Sequence, residues 1–147
     1  MSYKPILIVG GEPNSVFLEI YFKILKTRKI VSPLILITSE KLLRVHMKKF
    51  KFKKKIKFLK YTNLEKYNLN NQSINLIDVE YKYYKNIEKI SKKSNSFVQN
   101  SFEIAFKILK QNKIKKFING PISKKYFLNN KFLGITEYIS KTFSVKN

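Results

Sequence analysis

The side chains available for chemistry are few. Among 147 residues there is one histidine, His46, and no cysteine, so thiol catalysis, a disulfide scaffold and a three-imidazole metal site lie outside what this chain can build from its own residues. Carboxylates and amines remain. Glu12 follows the Gly10-Gly11 pair and Glu19 lies on the segment after it, an arrangement in which one carboxylate could serve as acid and the other as base. Helix-start charge and solvation account for the same two residues without chemistry. Lys124 and Lys125 follow Gly120-Pro121-Ile122-Ser123, where a brief helix beginning at Ser123 would place an ammonium beside a phosphate held at a helix N-terminus. Ordinary solvation explains Lys125 equally well. His46 falls on an apolar stripe with no acidic or thiol partner at ligand spacing, so a structural role is expected.

These residues need a scaffold, and the apolar pattern supplies one. Residues 4–9 (KPILIV) form a short β-branched run ended by glycines, as a buried strand entering a turn would. Asn14 or Ser15 can cap a helix whose expected stripe is Phe17, Ile20, Tyr21 and Ile24. Residues 34–38 (LILIT) make a second strand, and Ser39 caps a helix with Leu42, Leu43, His46 and Phe50 on its inner face. The polar, Asn-rich residues 63–73 are expected to be loop, and residues 74–79 (INLIDV) a further strand. The tyrosine- and lysine-rich stretch after them has no clear period. Ser94 or Asn95 is expected to cap a helix to about Gln111, with Val98, Phe102, Ala105, Phe106 and Leu109 on one face. Residues 116–119 (KFIN) form a short strand before Gly120-Pro121. The alternation predicts a single α/β unit with a layered, largely parallel sheet and flanking helices.

A net charge of +22 would ordinarily suggest a polyanion. The excess is almost wholly lysine, with Arg28 and Arg44 the only arginines, whereas base and phosphate-fork recognition favours the guanidinium plane. Lys, Asn, Ile, Phe and Tyr are enriched together, as codon drift in an AT-rich genome produces. Residues 48–61 (KKFKFKKKIKFLKY) interleave lysines with aromatics, the outline of a single-strand nucleic-acid surface. The plainer reading is a helix end followed by a half-buried strand with a solvated lysine face, and nucleic acid is not the expected partner. No apolar run reaches the roughly 20 residues of a membrane span, and no cleavage site follows the N-terminal run, so neither membrane nor secretory export is expected. The expected compartment is the cytoplasm.

Two segments carry a family resemblance. GEPNSVFLEI (residues 11–20) resembles the GDPAGIGPE signature of the 4-hydroxythreonine-4-phosphate dehydrogenase (PdxA) family, with Gly11, Glu12, Pro13 and Glu19 in register. Ser15 and Phe17 stand where that family has glycines, and Leu18 where it has proline. NGPISKKYF (119–127) and FLGITEYIS (132–140) resemble the family's TGPINK and PGHTE elements, with Gly120, Pro121, Ile122, Lys124, Gly134, Thr136 and Glu137 matching.

The resemblance implies an isocitrate/isopropylmalate dehydrogenase-like fold and a chain corresponding to the N-terminal portion of a family member, without the later part that holds NAD and metal. It implies NAD-dependent oxidation of 4-phosphooxy-L-threonine in pyridoxal 5′-phosphate (vitamin B6) biosynthesis, assisted by a divalent metal, in a homodimer. The family's His and Thr of GHTE bind the phosphorylated substrate. Thr136 keeps its hydroxyl here, Ile135 replaces the histidine, and Lys124 occupies a matching position. Because Ile135 can neither donate nor carry charge, the expected substrate contacts reduce to Thr136 and Lys124. No catalytic or metal residue is assigned, and the cofactor-binding residues are unknown because the Gly10-Gly11 turn is not a GxGxxG fingerprint. The expectation is a fragment inactive alone, completed in the family by a C-terminal half. The alternative is a non-enzymatic basic module that binds nucleic acid through residues 48–60.

Overall fold

A computed structural model describes residues 3–82, 92–111, 113–129 and 131–144. Five strands, β1 (Ile6–Val9), β2 (Leu34–Thr38), β3 (Ile56–Phe58), β4 (Ile74–Asp78) and β5 (Lys116–Asn119), form one sheet in the order β3-β4-β2-β1-β5. Every pairing is parallel. The helices are α1 (Phe17–Thr27), α2 (Glu40–Lys49), α3 (Lys92–Lys110) and α4 (Ile135–Thr142). This is the layered α/β architecture that the alternation predicts, with all five strands parallel. β2 lies in the middle and is buried at every position, which is why its sequence is a continuous apolar run rather than an alternation.

Strand order fixes where the connections lie. From β1 the chain moves toward β2 and then to the β3 edge, whereas the connection from β4 to β5 runs back past β2 and β1. Right-handed crossovers in opposite directions place their helices on opposite faces. Phe22 of α1 accordingly stacks on Phe52 at 4.5 Å beside Phe50, which follows α2. On the other side, Phe102 of α3 meets Phe117 of β5 at 6.0 Å and Phe127 at 4.8 Å, and Phe106 meets Tyr138 and Phe143 at 5.8 and 5.4 Å.

Several boundaries differ from the sequence expectations. α1 is apolar on two faces, and the sheet takes Leu18, Tyr21 and Phe22, leaving Ile20 and Ile24 48% and 42% exposed. α3 includes Lys92 and Lys93, so Ser94 is a buried residue inside the helix and not its cap. Ser123 starts a turn instead of a helix, with Phe127 N donating to its carbonyl at 2.8 Å and Tyr126 N to its hydroxyl at 3.2 Å. The Asn-rich segment opens with a 3-10 helix, Tyr61–Lys66. Its later asparagines tie the loop down: Asn71 accepts from Leu34 N at 2.9 Å and donates to the carbonyls of Ile30 and Ser32. Most of the tyrosine- and lysine-rich stretch, residues 83–91, lies outside the described residues.

Candidate functional site

In a doubly wound sheet, ligands bind beyond the carboxyl ends of the strands, where successive connections leave in opposite directions. Here the chain leaves β1 for α1 on one face of the sheet and leaves β5 for α4 on the other, so the crevice of this kind lies between β1 and β5. The turn after β1 carries residues 11–20 and the turn after β5 carries residues 119–127, so the sheet brings the two motif-bearing segments together.

The contact is direct and close. Gly120 N donates to Val9 O at 2.7 Å, and Glu12 N donates to Pro121 O at 2.8 Å. Gly11 sits at φ +75°, a left-handed conformation that glycine adopts freely. A Cβ on Gly11 would overlap the Pro121 carbonyl, and one on Gly120 would overlap the Gly10 carbonyl. The bare Cα atoms of this turn therefore serve the approach of one loop to the other. They form no open cradle of the dinucleotide-binding kind. Phe17 lies against Gly120 and adds a ring to the same contact.

Glu12 is buried, at 3% exposure, and joins three elements. Its Oε1 accepts from Ser123 N at 3.3 Å, and the Ser94 hydroxyl of α3 hydrogen-bonds the same carboxylate. Oε2 is buried with no protein partner. Burial pushes the carboxyl pKa up, opposed by the Ser94 and Ser123 hydrogen bonds. The expectation of a solvated turn carboxylate is corrected: Glu12 is a buried bolt between the motifs. Glu19 does not join it, because it reaches Lys23 at 2.8 Å on the exposed side of α1.

The remaining candidates surround this contact. Lys124 and Lys125 are exposed on the turn after Ser123, with Lys125 Nζ 5.4 Å from the centre of the Tyr126 ring. Because that turn is not a helix, it lends no helix-terminal field to a phosphate. Thr136 is exposed in the first turn of α4, and Ile135 packs against the core, so an apolar side chain at that position is compatible with its surroundings. Glu137 folds back and accepts from Leu133 N. α4 is anchored to the turn through Phe127 and Tyr138, whose rings lie 5.2 Å apart edge to face.

The other sequence candidates lie elsewhere. His46 is buried in α2 with Nδ1 3.0 Å from Leu42 O, and burial lowers its pKa, so it is a neutral structural residue. In residues 48–61, Phe52 is stacked inside on Phe22, Leu59 is buried, and the lysines flank them on a helix end and the β3 edge. Sequence reasoning missed the burial of Glu12 and its partner Ser94; the signal was a carboxylate placed directly after a strand-ending Gly-Gly.

The family model described as pyridoxal phosphate biosynthetic protein PdxA matches residues 29–147. The chain belongs to the PdxA family. The match takes in the 119–127 and 132–140 segments, while the 11–20 segment precedes it. Two solved structures share the fold across that part as well: the 4-hydroxythreonine-4-phosphate dehydrogenases of Burkholderia phymatum, at 17% identity and TM-score 0.83, and of Klebsiella pneumoniae, at 14% and 0.81. Each likeness covers 99% of this chain and 45% of that one, so the chain spans less than half the length of these PdxA relatives. No curated protein matches the sequence. Among the described residues no group of three His, Cys, Asp or Glu is placed to hold a metal, so those residues do not by themselves fit the divalent ion that the family implies. Also among the described residues, no helix is long and apolar enough to cross a membrane.

Proposed function

We propose that this chain forms the substrate-facing wall of a PdxA-type oxidoreductase, one that oxidises 4-phosphooxy-L-threonine with NAD in pyridoxal 5′-phosphate synthesis. The observation that carries the reading is the junction at the β1/β5 switch point, where both motif-bearing turns are bonded through Glu12, Pro121 and Ser123. In this proposal the Lys124 ammonium meets the substrate phosphate as a mobile point charge, and the Thr136 hydroxyl donates to or accepts from the substrate. Ile135 supplies packing alone. The work is cytoplasmic and the assembly a homodimer, completed by a further lobe.

Hydride transfer needs a nicotinamide and, in this family, a metal that stabilises the developing charge, a contribution on the order of several kcal/mol. Among the described residues no group is placed to hold the metal, and the proposal assigns no nicotinamide contact or catalytic step to them, so it expects residues 1–147 alone to be inactive. Purified protein incubated with the phosphorylated substrate, NAD and a divalent metal should produce no NADH above background. The same protein should bind the substrate, and Lys124→Ala with Thr136→Ala should weaken that binding about 10-fold or more. Metal-dependent NAD reduction by residues 1–147 would refute the inactivity; substrate binding that ignores both substitutions would refute the site.

A further inference from the structure

A cavity of about 550 Å³ opens at the opposite end of the sheet from the β1/β5 junction. Pro5, Pro33 and Ile114, which lead into β1, β2 and β5, line it together with the segment before β4 and the end of α3. Its volume is within the range of small-molecule sites. The cavity shares no residue with the site described above, and the family resemblance assigns it nothing.

Its chemistry is specific enough to name a ligand class. The floor is apolar, with Ile108 at 2% exposure and Ile114 at 4%. Tyr3 and Tyr67 supply flat rings at the walls, and Tyr67 is fixed because its hydroxyl accepts from Lys60 N at 3.0 Å. Asn71 holds the loop and the Asn70 side-chain oxygen accepts from Gln72 N at 3.0 Å, but Asn68 and Gln111 present exposed amides at the rim. Amides beside an apolar slot match the mixed donors and acceptors of a heteroaromatic edge.

The field at the rim is positive. Lys113 and Glu65 both line the cavity, and among the described residues Glu65 is the one carboxylate within 4 Å of the Lys113 ammonium, at a loose 3.8 Å with both side chains more than half exposed. Lys4, Lys29, Lys66 and Lys115 are exposed sequence neighbours of lining residues, whereas the Lys110 ammonium lies over the Phe143 ring, 5.8 Å from its centre. Such a mouth attracts an anion, and the apolar floor repels a bare one.

We propose that this cavity is a second binding site, for a planar heteroaromatic ring that carries a phosphate. The ring lies on Ile108 and Ile114 between the tyrosines, its edge meets the rim amides, and the phosphate faces Lys113. A nucleoside monophosphate and a pyridine phosphate share this chemistry.

The test is an NMR titration of ¹⁵N-labelled protein with AMP and with pyridoxine 5′-phosphate, against adenosine and inorganic phosphate, at physiological salt. One of the two phosphorylated rings should bind saturably with a Kd of about 0.1–1 mM, and the stronger identifies the source. Shifts should fall on residues 30–33, 64–71 and 108–114. Ile114→Trp fills the floor and should abolish binding; if it disturbs the spectrum globally, Asn68→Trp at the exposed rim serves in its place. Lys113→Ala should weaken the phosphorylated ligand about 5-fold, as loss of one charged contact does, and leave the unphosphorylated ring unchanged. Inorganic phosphate binding as well as either ring, shifts centred on residues 48–60, or no saturation by either ligand would overturn the proposal.

Discussion

At the residue scale the decisive side chain is Glu12. Its pKa is raised in the folded protein, so the fold binds its proton more tightly than the unfolded chain does. Its contribution to stability is therefore fully present below about pH 4.5, the unfolded value, and is lost as pH rises through the folded pKa. Glu12→Gln keeps an acceptor for Ser123 N and removes the charge, so above that window it should be at least as stable as the wild type, with the difference closing in acid. Glu12→Ala instead removes the acceptor of Ser123 N and the carboxylate that the Ser94 hydroxyl meets, and should cost about 1–3 kcal/mol. Urea melts of the three proteins across pH test this, and a wild-type advantage over Glu12→Gln that grows toward neutral pH would refute it. The residue's place after Gly-Gly was legible in the sequence, as was the packing role of His46. The burial of Glu12 was not, because it is created by Pro121, Ser123 and Ser94, which come together only when β5 docks beside β1.

At the scale of elements, three glycines separate structural need from habit. Gly11 has φ +75° with no room for a Cβ, and Gly120 is packed as tightly against Gly10. Gly11→Ala and Gly120→Ala should each lower stability by about 1–3 kcal/mol, since backbone atoms on both sides cannot yield as a flexible side chain would. Gly134 has extended backbone, nothing within reach of a Cβ, and no side chain to cap α4. Gly134→Ser should therefore stabilise by about a few tenths of a kcal/mol by accepting from the first turn. Thermal denaturation of these variants checks both directions; a tolerated alanine at position 11 would undo the account of the junction. Strands and the α2 cap at Ser39 could be read from sequence because local spacing determines them. The inner face of α1 could not: Phe17, Ile20, Tyr21 and Ile24 satisfy helical periodicity as well as Leu18, Tyr21 and Phe22 do, and only the position of the sheet chooses between them.

For the molecule as a whole, strand alternation announced a parallel α/β sheet, whereas the order β3-β4-β2-β1-β5 is set by long-range pairing that no local pattern records. That order leaves two unlike edges. β3 is short and surrounded by Lys53, Lys54, Lys55, Lys57 and Lys60, the charge protection that keeps an edge from recruiting strands. β5 carries Ile118 at 47% exposure, on the strand beside β1 and its α1 connection, where Ile20 and Ile24 are also uncovered. An open apolar edge favours association, and a net charge of +22 opposes it at long range. The balance gives a sign. Salt screens the repulsion and leaves apolar contact intact, so self-association of the purified chain should strengthen as ionic strength rises, the reverse of an interface built on ion pairs. Ile118→Lys places a charge on the edge and should weaken the association about 10-fold at high salt, with no loss of folded stability because the side chain is already half in water. Sedimentation velocity across a salt series reads both effects, and association that salt dissolves would mean that charge, not the β5 edge, holds the copies together.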